Sequence, residues 1–144
     1  MKRATVFVAA TLSLVVSAAA LGITAAVDTP STLMSRVDFN HARNAIAAET
    51  RLAVAGCRKA QGAAREICKA ETRATERVKL AELQARYFGT VAAAEEAIQV
   101  RATAPFEVAR VRCSARTGED RLTCLAAARA DRTRALAEAR QQAT

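Results

Sequence analysis

The residues in this chain best suited to chemistry are its four cysteines, Cys57, Cys68, Cys113 and Cys124. They fall in two stretches with one frame. CRKAQGAAREIC runs from Cys57 to Cys68, CSARTGEDRLTC runs from Cys113 to Cys124, and both fit C-x4-G-x2-R-x2-C. Cysteine pairs hold metals, act as nucleophiles or form disulfides. Zinc sites usually draw their cysteines from positions two to four apart, a spacing these pairs exceed, so no metal is expected. His41 is the only histidine. No sequence context activates a thiol, and there is no G-x-S-x-G, P-loop, zincin or haem-attachment pattern. Glu95-Glu96 and Glu119-Asp120 are adjacent carboxylates, which point to different sides of a helix and read as solvated surface. No catalytic residue and no cofactor are expected, which leaves disulfides as the chemistry to explain.

Disulfides need an oxidising compartment, and the N-terminus implies one. Lys2 and Arg3 precede an uncharged run from Ala4 to Ile23, small residues follow, and Asp28 and Pro30 end the apolar stretch. This is the pattern of a secretory signal peptide spanning residues 1–26, cleaved after Ala26. The competing reading is an uncleaved anchor, because about twenty uncharged residues can just span a bilayer. No cysteine near the end of the run invites a lipid. Cleavage predicts a periplasmic or secreted domain of residues 27–144, with no membrane span and an even cysteine count available for pairing.

On one continuous helix, Cys57 and Cys68 would lie about 16 Å apart along the axis, whereas a disulfide needs Cα atoms within about 7 Å. A hairpin brings them together. Gly62 and Gly118 sit near the middle of each stretch, and glycine is the residue that helix ends use to reverse. The favoured pairing is therefore Cys57–Cys68 and Cys113–Cys124, each clamping the neck of a turn. An alternative keeps the helices continuous and laces them through Cys57–Cys124 and Cys68–Cys113. It resembles the twin-cysteine motif of small mitochondrial intermembrane-space proteins, but needs a glycine inside each helix, at about 1 kcal/mol apiece against alanine.

The remaining sequence must supply helices for these turns. Ala, Glu, Arg, Gln, Leu and Lys dominate, and no stretch alternates apolar and polar residues over a strand length. The expected fold is all-α: two tandem hairpins with helices at about 31–60, 63–88, 91–116 and 119–142, elongated and clamped at the turns. Gly89 should end the second helix, Thr90 should cap the third, and Pro105 should kink or interrupt it. Ala64, Ile67, Glu71, Ala74, Val78, Ala81, Ala85 and Phe88 step by three and four along one helical face. Large apolar residues are sparse, so the core should be thin and built on alanine. The two halves are repeats: at a 56-residue offset, ten of thirty positions from Cys57 to Arg86 match those from Cys113 to Gln142. The repeats are expected to cover about 31–88 and 89–144.

Charge bounds the partners. Lys and Arg number 22 against 14 Asp and Glu, a net charge of +8; losing Lys2 and Arg3 takes it to +6. Lys2, Lys59, Lys69 and Lys79 are the only lysines, so arginine supplies the rest. Arginine forks onto phosphate and carboxylate, which makes Arg65, Arg121, Arg73 and Arg129 candidate anion-binding residues. Arg65 and Arg121 have a blander alternative, reaching back to carbonyls at the end of the incoming helix. With four Phe and one Tyr, a base-stacking platform is not expected, so nucleic acid is not an expected partner.

Gly62-Ala-Ala-Arg65-Glu66-Ile67-Cys68 resembles a segment of small exported Ala-, Lys- or Arg-, and Glu-rich proteins of Gram-negative bacteria. In these a cysteine is followed by a glycine about five residues on, then a basic-acidic-aliphatic-cysteine run leading into a long helix. Gly118 to Cys124 keeps the spacing and the arginine but lacks the acidic-aliphatic pair. The resemblance covers about Ala53 to Arg86 and implies location and helical form, not an activity. The expectation is a non-enzymatic envelope protein that binds a protein partner or an anionic envelope component through helical faces. A periplasmic chaperone or stress factor is the alternative, and a homo-oligomer is left open.

Overall fold

The computed structural model describes residues 33–142; the leader read at residues 1–26 lies outside them. The described residues form four helices and no strand: α1 (Arg36–Gly56), α2 (Gly62–Phe88), α3 (Val91–Ser114) and α4 (Gly118–Gln142), with a single 3-10 turn at Cys57–Lys59 between the first two. The fold is all-α, and the disulfides are local, Cys57–Cys68 and Cys113–Cys124, with Cα atoms 5.7 and 5.6 Å apart. The laced alternative is thereby excluded.

The helix ends follow from their residues. α1 begins at Arg36 rather than near Ser31, because Ser35 is extended and its Oγ accepts the Asp38 N–H at 3.1 Å. That fills one of the open donors of the first turn. Gly89 closes α2 in the left-handed region at φ 61°, donating its N–H to Ala85 O, and Thr90 Oγ1 accepts the Ala93 N–H. α1 and α3 stop short of the expected residues 60 and 116 because the chain tightens into turns. Ala60 N–H donates to Cys57 O, and Arg116 N–H donates to Cys113 O.

Two expectations change in detail. Gly62 and Gly118 do have positive φ, 53° and 55°, but each opens the outgoing helix instead of closing the incoming one. The reversal before Gly62 is made by Ala60 and Gln61, both extended. Pro105 does not interrupt α3, which runs unbroken from Val91 to Ser114. Pro105 is exposed, so the backbone bond that proline removes borders solvent.

Partner residues fix antiparallel packing throughout. Phe39 stacks on Tyr87 with centroids 4.4 Å apart, and Glu49 pairs with Lys79. Arg101 pairs with Glu82, and Arg112 with Glu71. On the far side, Arg132 of α4 lies over the Phe106 ring of α3. Among the described residues, each helix packs only against its neighbours in chain order. The four helices therefore form an open row, with both disulfide turns at one end.

An open row buries little. Among the described residues, six of the ten buried apolar ones are alanine: Ala74, Ala81, Ala97, Ala104, Ala128 and Ala139. The deepest side chains are Leu83, Cys57 and Cys113. Ala74, Ala104 and Val108 cluster between α2 and α3 with Val78 against them. Small side chains let backbones approach closely, and they add little transfer free energy each, at about 25 cal/mol per Å² of apolar surface.

Candidate functional site

The row has two sides, and the grooves tell them apart. Glu71, Thr75 and Lys79 line both the α1–α2 and the α2–α3 groove, and Arg101 lines both the α2–α3 and the α3–α4 groove. These grooves therefore open on one common side. The largest, about 630 Å³, has Ala74, Val78, Ala104 and Val108 in its floor. Ion pairs Arg112–Glu71 and Arg101–Glu82 span it.

The opposite side is arginine-rich. At about 100° per residue, Arg36, Arg43 and Arg51 of α1 fall away from the common groove side, as do Arg73 and Arg77 of α2. All five are exposed. On that side α3 and α4 form a second cleft of about 450 Å³, lined by Phe106, Glu107, Arg110, Val111, Ser114, Arg121, Leu125 and Arg129. The Phe106 ring organises the arginines around it, with the Arg132 guanidinium 5.1 Å and the Arg110 guanidinium 6.0 Å from its centroid. Such cation–π contacts hold a guanidinium in place without consuming all its donors.

The four candidate arginines separate into different roles. Arg65 donates from Nε to Ala60 O at 2.9 Å and from Nη2 to Arg58 O at 3.2 Å. It ties down the turn carbonyls. Arg121 holds the same repeat position but instead lines the α3–α4 cleft, where the structure brings it together with Arg129. Neither forms an ion pair among the described residues. Arg73 stays apart on the exposed face of α2. Phe106 and Arg110 had no motif to mark them. Their i, i+4 spacing was visible in the sequence, but not which neighbour that face of α3 would meet.

All four cysteines are in disulfides, so no thiolate is available as nucleophile or ligand. No group of three His, Cys, Asp or Glu residues that could hold a metal ion occurs among the described residues. Lys69, which donates to Glu66 at 2.8 Å, holds the Glu66 carboxyl below its ordinary value. No helix among the described residues is long and apolar enough to cross a membrane. No family model matches the chain, and no curated protein and no solved structure matches it either.

Proposed function

We propose that this chain is an exported, non-enzymatic helical protein of the bacterial envelope that lies against an anionic surface through its arginine-bearing side. One observation carries the reading: the two sides of the row differ in charge. On the groove side Glu71, Glu82 and Glu49 pair with basic residues across neighbouring helices. On the other side exposed arginines stand with few acidic partners. The disulfides fit an oxidising compartment, and the proposed cleavage after Ala26 places the domain in the periplasm or outside the cell. The small exported proteins named above, which it resembles, support the same location.

Adsorption should be electrostatic. Co-sedimentation with vesicles containing phosphatidylglycerol in phosphatidylcholine should be strong at low salt and weak near 1 M, where the screening length falls to about 3 Å. Binding that ignores both salt and anionic lipid would refute the reading. A second reading has its own observation. Leu33, Val37, Phe88 and Val91 are all more than half exposed and lie near the α2–α3 turn, with Leu33 directly against Gly89. That apolar end fits a periplasmic chaperone or stress factor that shelters apolar segments, and its binding would persist in high salt.

A further inference from the structure

We infer that the outer α3–α4 cleft is a binding site for a phosphate-bearing ligand. The anionic group sits among Arg110, Arg121 and Arg129, and the adjoining apolar part lies against Phe106 and Leu125. The inference rests on the anion-binding reading above and narrows it from a charged side to one site.

Three features set this cleft apart from the rest of the arginine side. Its lining holds three arginines and one carboxylate, Glu107, which is 3.2 Å from Arg110 Nη1. Arg121 and Arg129 keep their fork donors free of carboxylates, and two or three converging forks suit a phosphate better than a lone carboxylate. Apolar and basic groups also share the cleft. At about 450 Å³ it lies within the usual range for small-molecule sites and is larger than a bare phosphate requires. Finally, the site belongs to one repeat only. The position matching Phe106 is Thr50, whose hydroxyl donates to Ile46 O at 2.9 Å. The position matching Arg110 is Val54, and Arg65, which matches Arg121, is held by the turn. In the second copy Phe106, Arg110 and an untethered Arg121 stand where the first copy has a small hydroxyl, an aliphatic and a tethered arginine, while Arg129 keeps an arginine counterpart in Arg73.

The test uses the oxidised protein from residue 27 onward and three probes: inorganic phosphate, hexyl phosphate, and vesicles of phosphatidic acid in phosphatidylcholine. Hexyl phosphate should bind more tightly than inorganic phosphate and shift the NMR signals of Phe106 and Leu125. Arg121→Gln with Arg129→Gln should lower its affinity about a hundredfold, or tenfold for each charge-assisted hydrogen bond removed. Arg86→Gln with Lys59→Gln, two exposed residues outside the cleft lining, removes the same charge and should change affinity less than about threefold, as expected for screened distant charges. Arg121→Lys with Arg129→Lys retains the charge, so a loss of several-fold with it identifies the fork geometry. Phosphatidic acid vesicles showing the same variant pattern identify a lipid headgroup as the source; response to hexyl phosphate alone identifies a free ligand. Equal losses from the two glutamine pairs, or a Phe106 signal that does not move, overturn the site. If both pairs still adsorb equally to vesicles, the broader anionic-surface reading survives that failure. If vesicles are ignored while hexyl phosphate still fills the cleft, the surface reading fails and the site stands.

Discussion

Gly62 and Gly118 show how one residue type can decide the pairing of two others. Each holds a left-handed φ at the start of an outgoing helix, and a Cβ built there meets nothing within 4 Å. The effect of alanine at either position is therefore conformational and not steric. Gly62→Ala should lower stability by about 1–2 kcal/mol, the strain of left-handed backbone for an L-residue, in place of the gain expected inside a helix. Thermal melting by circular dichroism checks it; a raised melting temperature would mean that the turn tolerates right-handed backbone. The motif arginines should differ in the same assay. Arg65→Ala removes two hydrogen bonds from a guanidinium to turn carbonyls and should destabilise by about 1–3 kcal/mol. Arg121→Ala, with no such bonds, should stay within about 0.5 kcal/mol, as surface substitutions usually do. Equal effects would mean that both arginines serve the turn. The cysteines and glycines were legible because their spacing is a distance constraint. The divergence of the arginines was not, because one repeat position meets turn carbonyls in the first copy and a cleft beside Phe106 and Arg110 in the second.

Helix composition predicted the elements well, and the exceptions have causes. The stripe from Ala64 to Phe88 marks the α3-facing side of α2, where Ala74 and Ala81 are buried. It misses Leu83, the most deeply buried side chain in the described chain at 0% exposure. α2 packs on two neighbours and so carries two stripes. The second runs through Cys68, Thr72, Lys79, Leu83 and Tyr87. It is marked by the disulfide, the Lys79–Glu49 pair and the Tyr87–Phe39 stack, and its polar members hide it from an apolar periodicity. Leu83→Ala should cost about 2–5 kcal/mol. In so thin a core this should broaden or abolish the cooperative urea transition. Ala104→Leu tests the α2–α3 contact from the other direction. Ala104 is 3% exposed, so the added bulk should force the helices apart and destabilise by about 1–3 kcal/mol. A neutral outcome would mean that the adjoining groove absorbs the side chain. The candidate cleft was legible only in part. Arg121 and Arg129 stood out through the repeat, whereas Phe106 gains meaning only once α3 is seen to meet α4.

At the scale of the whole row, stability should be graded. In a closed bundle every helix touches a shared core and opening is all-or-none. Here each helix meets only its chain neighbours, the arrangement in which stability approximates a sum of local terms and nearest-neighbour contacts. α2 and α3 have two neighbours each, while α1 and α4 have one. Among the α4 residues whose burial is described, only Ala128 and Ala139 are buried. The disulfides tether α1 to α2 and α3 to α4 at the same end, each closing a loop of about a dozen residues and contributing about 2–3 kcal/mol in the entropic model. Opening should therefore begin at the far end, where α4 finishes and α1 starts, and stop near the bridges. Native-state hydrogen exchange should show strong protection in α2 and α3 around Ala74 to Leu83 and Ala97 to Val108. Protection should fall along α4 from Cys124 towards Gln142 and along α1 from Gly56 back towards Arg36. Reduction should remove the gradient in α1 and α4 by loosening the tethered end, while the α2–α3 pair, which has no disulfide of its own, retains more protection than either. Uniform protection of all four helices would contradict the open row. It would mean that a further surface, such as a second copy of the chain, covers the exposed sides and makes the helices open together.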